Sequence, residues 1–183
     1  SDGQIFRYTQ VTVTRKPNIP SHIALDKQNS WLYIVDGGGN RIIRLKTTSG
    51  MIGGNLSVPS TANEPLGSYK SMINANTETL VSSGLTNPCG IDYRSNRMIV
   101  SDNADGKIYM YNVSSAPATL VGVINTGSAG VMGVRIDDNN KIWYVNQATK
   151  QLVRIDNPNV LSVREAIAEQ LEFSIYPNPA QNI

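Results

Sequence analysis

Asp36 to Ile42, Asp102 to Ile108 and Asn146 to Leu152 are each six positions apart. In every case a polar residue closes an apolar run, a short turn follows, and a second alternating run resumes. The plan is clearest in Pro88-Cys89-Gly90-Ile91-Asp92, then Met98-Ile99-Val100-Ser101-Asp102, then Ile108-Tyr109-Met110-Tyr111-Asn112. Period-two runs bounded by Asn, Asp and Gly clusters predict half-buried strands joined by tight turns, here three antiparallel strands in succession. A chain that writes this plan three times is constrained to fold as a row of like units.

The first full unit opens at Pro20 with Ile23-Ala24-Leu25-Asp26, continues through Trp31 to Asp36, turns at Gly37-Gly38-Gly39-Asn40 and resumes at Arg41-Ile42-Ile43-Arg44-Leu45. The third runs from Val131 to Asp137, through Ile142-Trp143-Tyr144-Val145-Asn146, and on to Leu152-Val153-Arg154-Ile155. At the N-terminus, Asp2-Gly3-Gln4-Ile5-Phe6-Arg7-Tyr8 matches Asp105-Gly106-Lys107-Ile108-Tyr109-Met110-Tyr111, and Val11-Thr12-Val13-Thr14 alternates after it. Residues 1–19 therefore read as half a unit with Ile5 in the place of Ile42, Ile108 and Leu152, and further sequence is expected upstream.

Each unit needs a fourth, outer strand, and Thr79-Leu80-Val81 and Thr119-Leu120-Val121 stand in that place. From Leu45 to Leu80 is 35 positions, against 9 from Tyr111 to Leu120, so the first full unit carries 26 additional residues. This insertion, about 46–72, is rich in Gly, Ser, Asn and Pro and is expected to be an irregular loop projecting as a partner contact. Units of about 40–45 residues with four strands each are the signature of propeller blades. The expected fold is all-β, a partial β-propeller of four-stranded antiparallel blades: a half blade over 1–19, then blades 20–84, 85–126 and 127–160. Closed propellers have about 4–8 blades, so these would form the C-terminal part of a larger ring completed by upstream blades or by another chain.

Composition narrows the function. The net charge is +2 with Lys and Arg scattered, so no footprint for nucleic acid is present, and no apolar run approaches the length of a membrane span. One cysteine, Cys89, and one histidine, His22, exclude Cys-based zinc sites, His clusters and most conventional triads within the chain. No cofactor is expected. Calcium is the one ion that Asp36, Asp102 and Asp105 in their turns could hold, although the dense acidic spacing of an EF-hand is missing and Asx turn-stabilisation is the plainer role. Gly37-Gly38-Gly39 resembles a phosphate loop in composition alone, since no helix follows it.

Innermost strands line a propeller's channel. Aligned, the first strands give Ile23/Leu25, Ile91/Tyr93 and Val134/Ile136 on one face, expected to pack between blades, with Ala24, Asp92 and Arg135 on the other. Asp92 and Arg135 should approach one another across adjacent strands. One reading makes them ligand-binding residues at a channel mouth with His22 as an acid or base. The other makes them an inter-blade ion pair beside a packed histidine, because charges near a core are usually paired.

Pro88-Cys89-Gly90-Ile91-Asp92, and Val35-Asp36 with Asn40-Arg41-Ile42, resemble the repeats of NHL-type β-propellers over residues 1 to about 160. The third unit departs from that pattern at Val131 and Asn146. The resemblance implies the propeller scaffold and leaves function open, since that scaffold hosts binding modules, lactonases and lyases. After Ser162–Leu171, the one stretch of helix-forming composition, the chain ends in Tyr176-Pro177-Asn178-Pro179-Ala180, which resembles the opening of a type IX secretion (Por) C-terminal sorting domain. Residues 161–183 are accordingly expected to lie outside the blades, as a linker and the start of that domain. The resemblance implies recognition by the type IX machinery and placement on the outer-membrane surface or exterior of a bacterium of the Bacteroidetes type.

The expected function is a secreted or surface propeller that binds a protein or glycan rather than transforming it. The alternatives are a metal-dependent lactonase- or lyase-like enzyme using Asp92 and the turn residues as ligands, and a structural subunit of a surface assembly.

Overall fold

The computed structural model describes residues 3–58, 66–156 and 173–176. Its elements are β1 (Gly3–Tyr8), β2 (Ile23–Asp26), β3 (Trp31–Asp36), β4 (Arg41–Lys46), β5 (Met51–Asn55), β6 (Leu66–Ile73), β7 (Thr77–Val81) and β8 (Pro88–Arg94). They continue with β9 (Arg97–Asp102), β10 (Lys107–Asn112), β11 (Thr119–Asn125), β12 (Val131–Ile136), β13 (Ile142–Asn146), β14 (Gln151–Ile155) and β15 (Phe173–Tyr176). Among the described residues there is no helix. The protein is all-β, and three four-stranded antiparallel sheets, β2-β3-β4-β7, β8-β9-β10-β11 and β12-β13-β14-β15, follow one another in chain order. That arrangement is compatible with part of a β-propeller.

The constant spacing of six becomes a constant register. Asp36 faces Arg41, Asp102 faces Lys107 and Asn146 faces Gln151 across their turns, so Ile42, Ile108 and Leu152 are second in equivalent strands. At the other end of the central sheet, Ser95 and Asn96 both have positive φ and join β8 to β9 in a two-residue hairpin, the geometry that matches strand twist.

Each sheet has a forward face toward the next sheet and a rear face toward the preceding one. The forward face of the first (Ala24, Tyr33, Val35, Ile42) and the rear face of the second (Ile91, Met98, Val100, Tyr111) share one apolar cluster. The forward face of the second (Ile99, Ile108, Met110, Ile124) meets the rear face of the third (Val134, Ile136, Ile142, Tyr144, Val153, Ile155) in another. Both faces of the middle sheet's second strand are buried, so β9 reads as a near-continuous apolar run.

Four expectations are corrected. β1 is not the third strand of a half blade: it pairs in parallel with β6 in a separate sheet of order β1-β6-β5, and Ile5 is exposed. Val11–Thr14 is not a strand either, because the Thr14 amide and carbonyl bond the turn after β3. The insertion is likewise not all loop, since Met51–Asn55 and Leu66–Ile73 pair antiparallel, with a register shift between Ile52 and Asn55 that absorbs Gly53 and Gly54; a bulge accommodates glycine without ending the ladder. Finally, Phe173–Tyr176 pairs antiparallel with β14 and supplies the outer strand of the third sheet. The helix-compatible stretch 162–171 and residues 177–183 lie outside the described residues.

Candidate functional site

The residue that closes the second strand of each sheet acts as a clamp on the segment leading into that sheet. Asp36 accepts the amides of Thr14 (2.8 Å) and Gly39 (3.1 Å) and the Arg41 Nε (2.7 Å). Burial pushes its carboxyl up, but the bonds from Thr14, Arg41 and Gly39 together outweigh this and hold it below the ordinary carboxylate value. Asp102, fully buried, accepts the amides of Thr86 (2.6 Å), Asn87 (3.0 Å) and Ala104 (3.0 Å). In the third sheet the leading segment presents carbonyls instead. Asn146 donates to Ser128 O and Ala129 O (3.3 and 3.1 Å) while its oxygen accepts from Ala148 and Thr149. A carboxylate has no proton to give those carbonyls, so the departure of Asn146 from the aspartate pattern follows from the donors and acceptors it must satisfy. Asp105, in the same turn as Asp102, accepts the Tyr109 hydroxyl (2.6 Å) and the Lys107 amide. Among the described residues no group of three or more His, Cys, Asp or Glu side chains is placed to hold a metal ion.

The inner strands β2 and β12 both flank β8. The Cβ of any other residue at Gly90 would stand 2.2 Å from Met132 O and 2.9 Å from Val134 N, so β8 and β12 approach as closely as they do only because that position has no side chain. Around it Ser101 Oγ accepts the Gly90 amide (2.9 Å) and donates to Met132 O. Cys89 Sγ lies 3.3 Å from Ser101 Oγ and 3.3 Å from Val131 O. Cys89 has no exposure, and burial pushes its thiol up despite the Ser101 and Gly90 hydrogen bonds. A buried thiol held protonated is a packing group, not a nucleophile.

The three residues singled out from sequence fall as follows. Asp92 and Arg135 do meet, Oδ1 to Nη1 at 3.5 Å, with Arg135 77% exposed and Asp92 buried. The stronger bond of Asp92 is from the Ile136 amide at 2.7 Å, so the carboxylate fastens the third sheet to the second and the solvated guanidinium adds little. His22 is tied through its backbone, its N–H donating to Cys89 O (3.1 Å) and its carbonyl accepting from Val35. Its half-buried imidazole comes near Gly133 of the third sheet, with Cε1 3.6 Å from where a Cβ there would lie. Gly37–Gly39 is the turn between β3 and β4, as its lack of a following helix implies.

Two seam residues escaped the sequence reading. Ser101 occupies the place of Val35 and Val145 in the repeat, and a hydroxyl among valines was the available signal. Arg44, buried, donates to Glu78 (Nε, 2.6 Å) and to Val113 O, just past the end of β10 (Nη1, 2.9 Å), and lies 4.3 Å from the Trp31 ring centroid. Nothing local distinguishes it from a solvated strand arginine, because its acceptor is 69 residues away.

No family model matches the chain, and no curated protein matches it.

Proposed function

We propose that this protein is a secreted or cell-surface β-propeller of the NHL-repeat type that acts as a binding module and is exported by type IX secretion. The observation that carries the binding reading is how the polar groups near the inner strands are used. Asp36, Asp102, Asn146, Asp92, Ser101 and Cys89 all bond backbone amides or carbonyls, which is the employment of structural groups rather than of an acid, base or nucleophile poised for substrate. Among the described residues, Arg135, held over Asp92, and the half-buried imidazole of His22 are the candidates to meet a ligand. The guanidinium is suited to an acidic group on a protein or glycan.

The export reading rests on Tyr176-Pro177-Asn178-Pro179-Ala180. Because Phe173–Tyr176 belongs to the third sheet, the motif is best tested by ending the chain at Tyr176, which leaves that sheet whole. Fractionation of cells expressing the natural gene product, intact or ending at Tyr176, should find the intact form at the surface and the shortened form in the periplasm. Equal surface delivery of both would overturn the assignment.

A further inference from the structure

We infer that Arg97, with the side-chain amide of Asn112, forms a carboxylate-binding site on the forward face of the second sheet, apart from Arg135 and His22. It sits at the end of β9 away from the clamp residue Asp102.

Its basis is one cross-strand pair that the three sheets fill differently. Five residues before the clamps Asp36, Asp102 and Asn146 stand Trp31, Arg97 and Lys141, and ten residues after them stand Lys46, Asn112 and Asp156. The two positions face one another between second and third strands, as Trp31 with Lys46 and Arg97 with Asn112. In the first sheet the Lys46 ammonium lies 5.0 Å from the Trp31 ring centroid. In the third, Lys141 Nζ lies 3.8 Å from Asp156 Oδ1. In the second, a guanidinium faces a neutral amide whose oxygen already accepts from the Ser114 N–H (3.0 Å). What remains of Asn112 is its NH2, so both members of this pair offer donors.

The surroundings do not supply the missing anion. Arg97 is 8% exposed, and its Nη1 is buried with no hydrogen-bond partner among the described residues. Its opposite neighbour in β8 is Arg94, a like charge on the same face, which is an unfavourable pairing. Arg94 is drawn to Asp138 instead, Nη1 to Oδ1 at 3.0 Å. Asp92, two positions earlier in β8, is taken by the Ile136 amide and by Arg135. Burial alone pushes Arg97 below the ordinary arginine value, with no carboxylate offsetting it. A guanidinium taken out of water is unfavourable without an anion, and its planar fork matches the two oxygens of a carboxylate. One unmatched positive charge calls for one negative charge, and the third sheet shows its form: Asp156 carries a carboxylate where Asn112 carries an amide. The ligand is therefore a carboxylate, either of a free small acid or of an acidic side chain on a partner.

The probe is acetate, exchanged for chloride at constant ionic strength and neutral pH, with acetamide as the uncharged control and a capped peptide bearing one glutamate as the partner-borne form. Melts of the full chain should rise with acetate and level off, by about 3–6 °C at ten times the dissociation constant, and should not respond to acetamide. Over the same concentrations the Arg97 Nε–H signal in a nitrogen–proton NMR spectrum, identified by its loss in Arg97→Met, should shift. Arg97→Met keeps an apolar stem in place; it should melt no lower than wild type in chloride and gain nothing from acetate. Asn112→Asp copies the Lys141–Asp156 pairing, so it should melt above wild type in chloride and lose the acetate response. A peptide that acts as acetate does assigns an acidic side chain, and a response to acetate alone assigns a free acid. Equal gains in wild type and Arg97→Met, an Nε–H signal that stays in place, or an Asn112→Asp chain no more stable than wild type would each overturn the site.

Discussion

Exchanging the clamp residues tests whether the turn chemistry is as specific as its geometry suggests. Asp102 is fully buried and accepts three backbone amides, from Thr86, Asn87 and Ala104. Asp102→Asn keeps nearly the same shape but retains one acceptor oxygen, and it turns an NH2 group toward at least one N–H. A hydrogen bond to a charged acceptor contributes about 1.5–3 kcal/mol, and a buried donor left unpaired costs about 1–3 kcal/mol. The remaining bonds also lose their charge assistance, so the expected destabilisation is about 3 kcal/mol. For a chain of this length that corresponds to a fall in Tm of about 6–12 °C. The reverse exchange, Asn146→Asp, should cost a similar amount, since it sets a carboxylate against the carbonyls of Ser128 and Ala129. Urea titrations and thermal melts followed by circular dichroism at neutral pH measure both. If either variant falls within about 0.5 kcal/mol of wild type, as an ordinary surface substitution does, the clamp argument is wrong.

Gly90→Ala would place a methyl 2.2 Å from the Met132 carbonyl oxygen; a backbone atom must move, so the variant should lose about 3 kcal/mol or more in the same urea titration. In acid, the Asp36 carboxyl, held below its ordinary value in the folded state, stabilises the fold fully above the unfolded value of about 4 and loses that contribution as pH falls through the folded value. Melts of wild type should therefore drop more steeply below about pH 4 than those of Asp36→Asn, which starts lower and lacks the titrating group; parallel curves would refute the assignment.

What the sequence made legible divides by distance along the chain. The turns were legible because an Asx residue bonds amides a few positions away, and a constant spacing of six records that local chemistry directly. The seams were only half legible. Alternation shows that Ile91 and Val134 face inward, but it does not show that Asp92 reaches the Ile136 amide 44 residues on. Edges were the least legible. β1, β5, β6 and β15 took their pairings from whichever ladder was open beside them, so the composition of residues 46–72 suggested a loop and the prolines after Tyr176 suggested an exit. The alternation of Phe173 and Ile175 was the better guide to the third sheet, because Phe173–Tyr176 pairs with β14.

The clamps also bear on how such a chain could have grown. Each one joins the close of a second strand to the segment entering its own sheet, as Asp102 does with Thr86 and Asn87 and Asn146 with Ser128 and Ala129. A duplicated stretch of coding sequence that includes both ends carries a working tie with it, whatever its new neighbour. The seams have no such inheritance. One is fastened by an aromatic stack and an arginine, the other by a serine, a thiol and an aspartate. Every new junction between copies had to find its own solution, so descent from a common unit should be recorded in the turns long after it has been erased from the surfaces that meet.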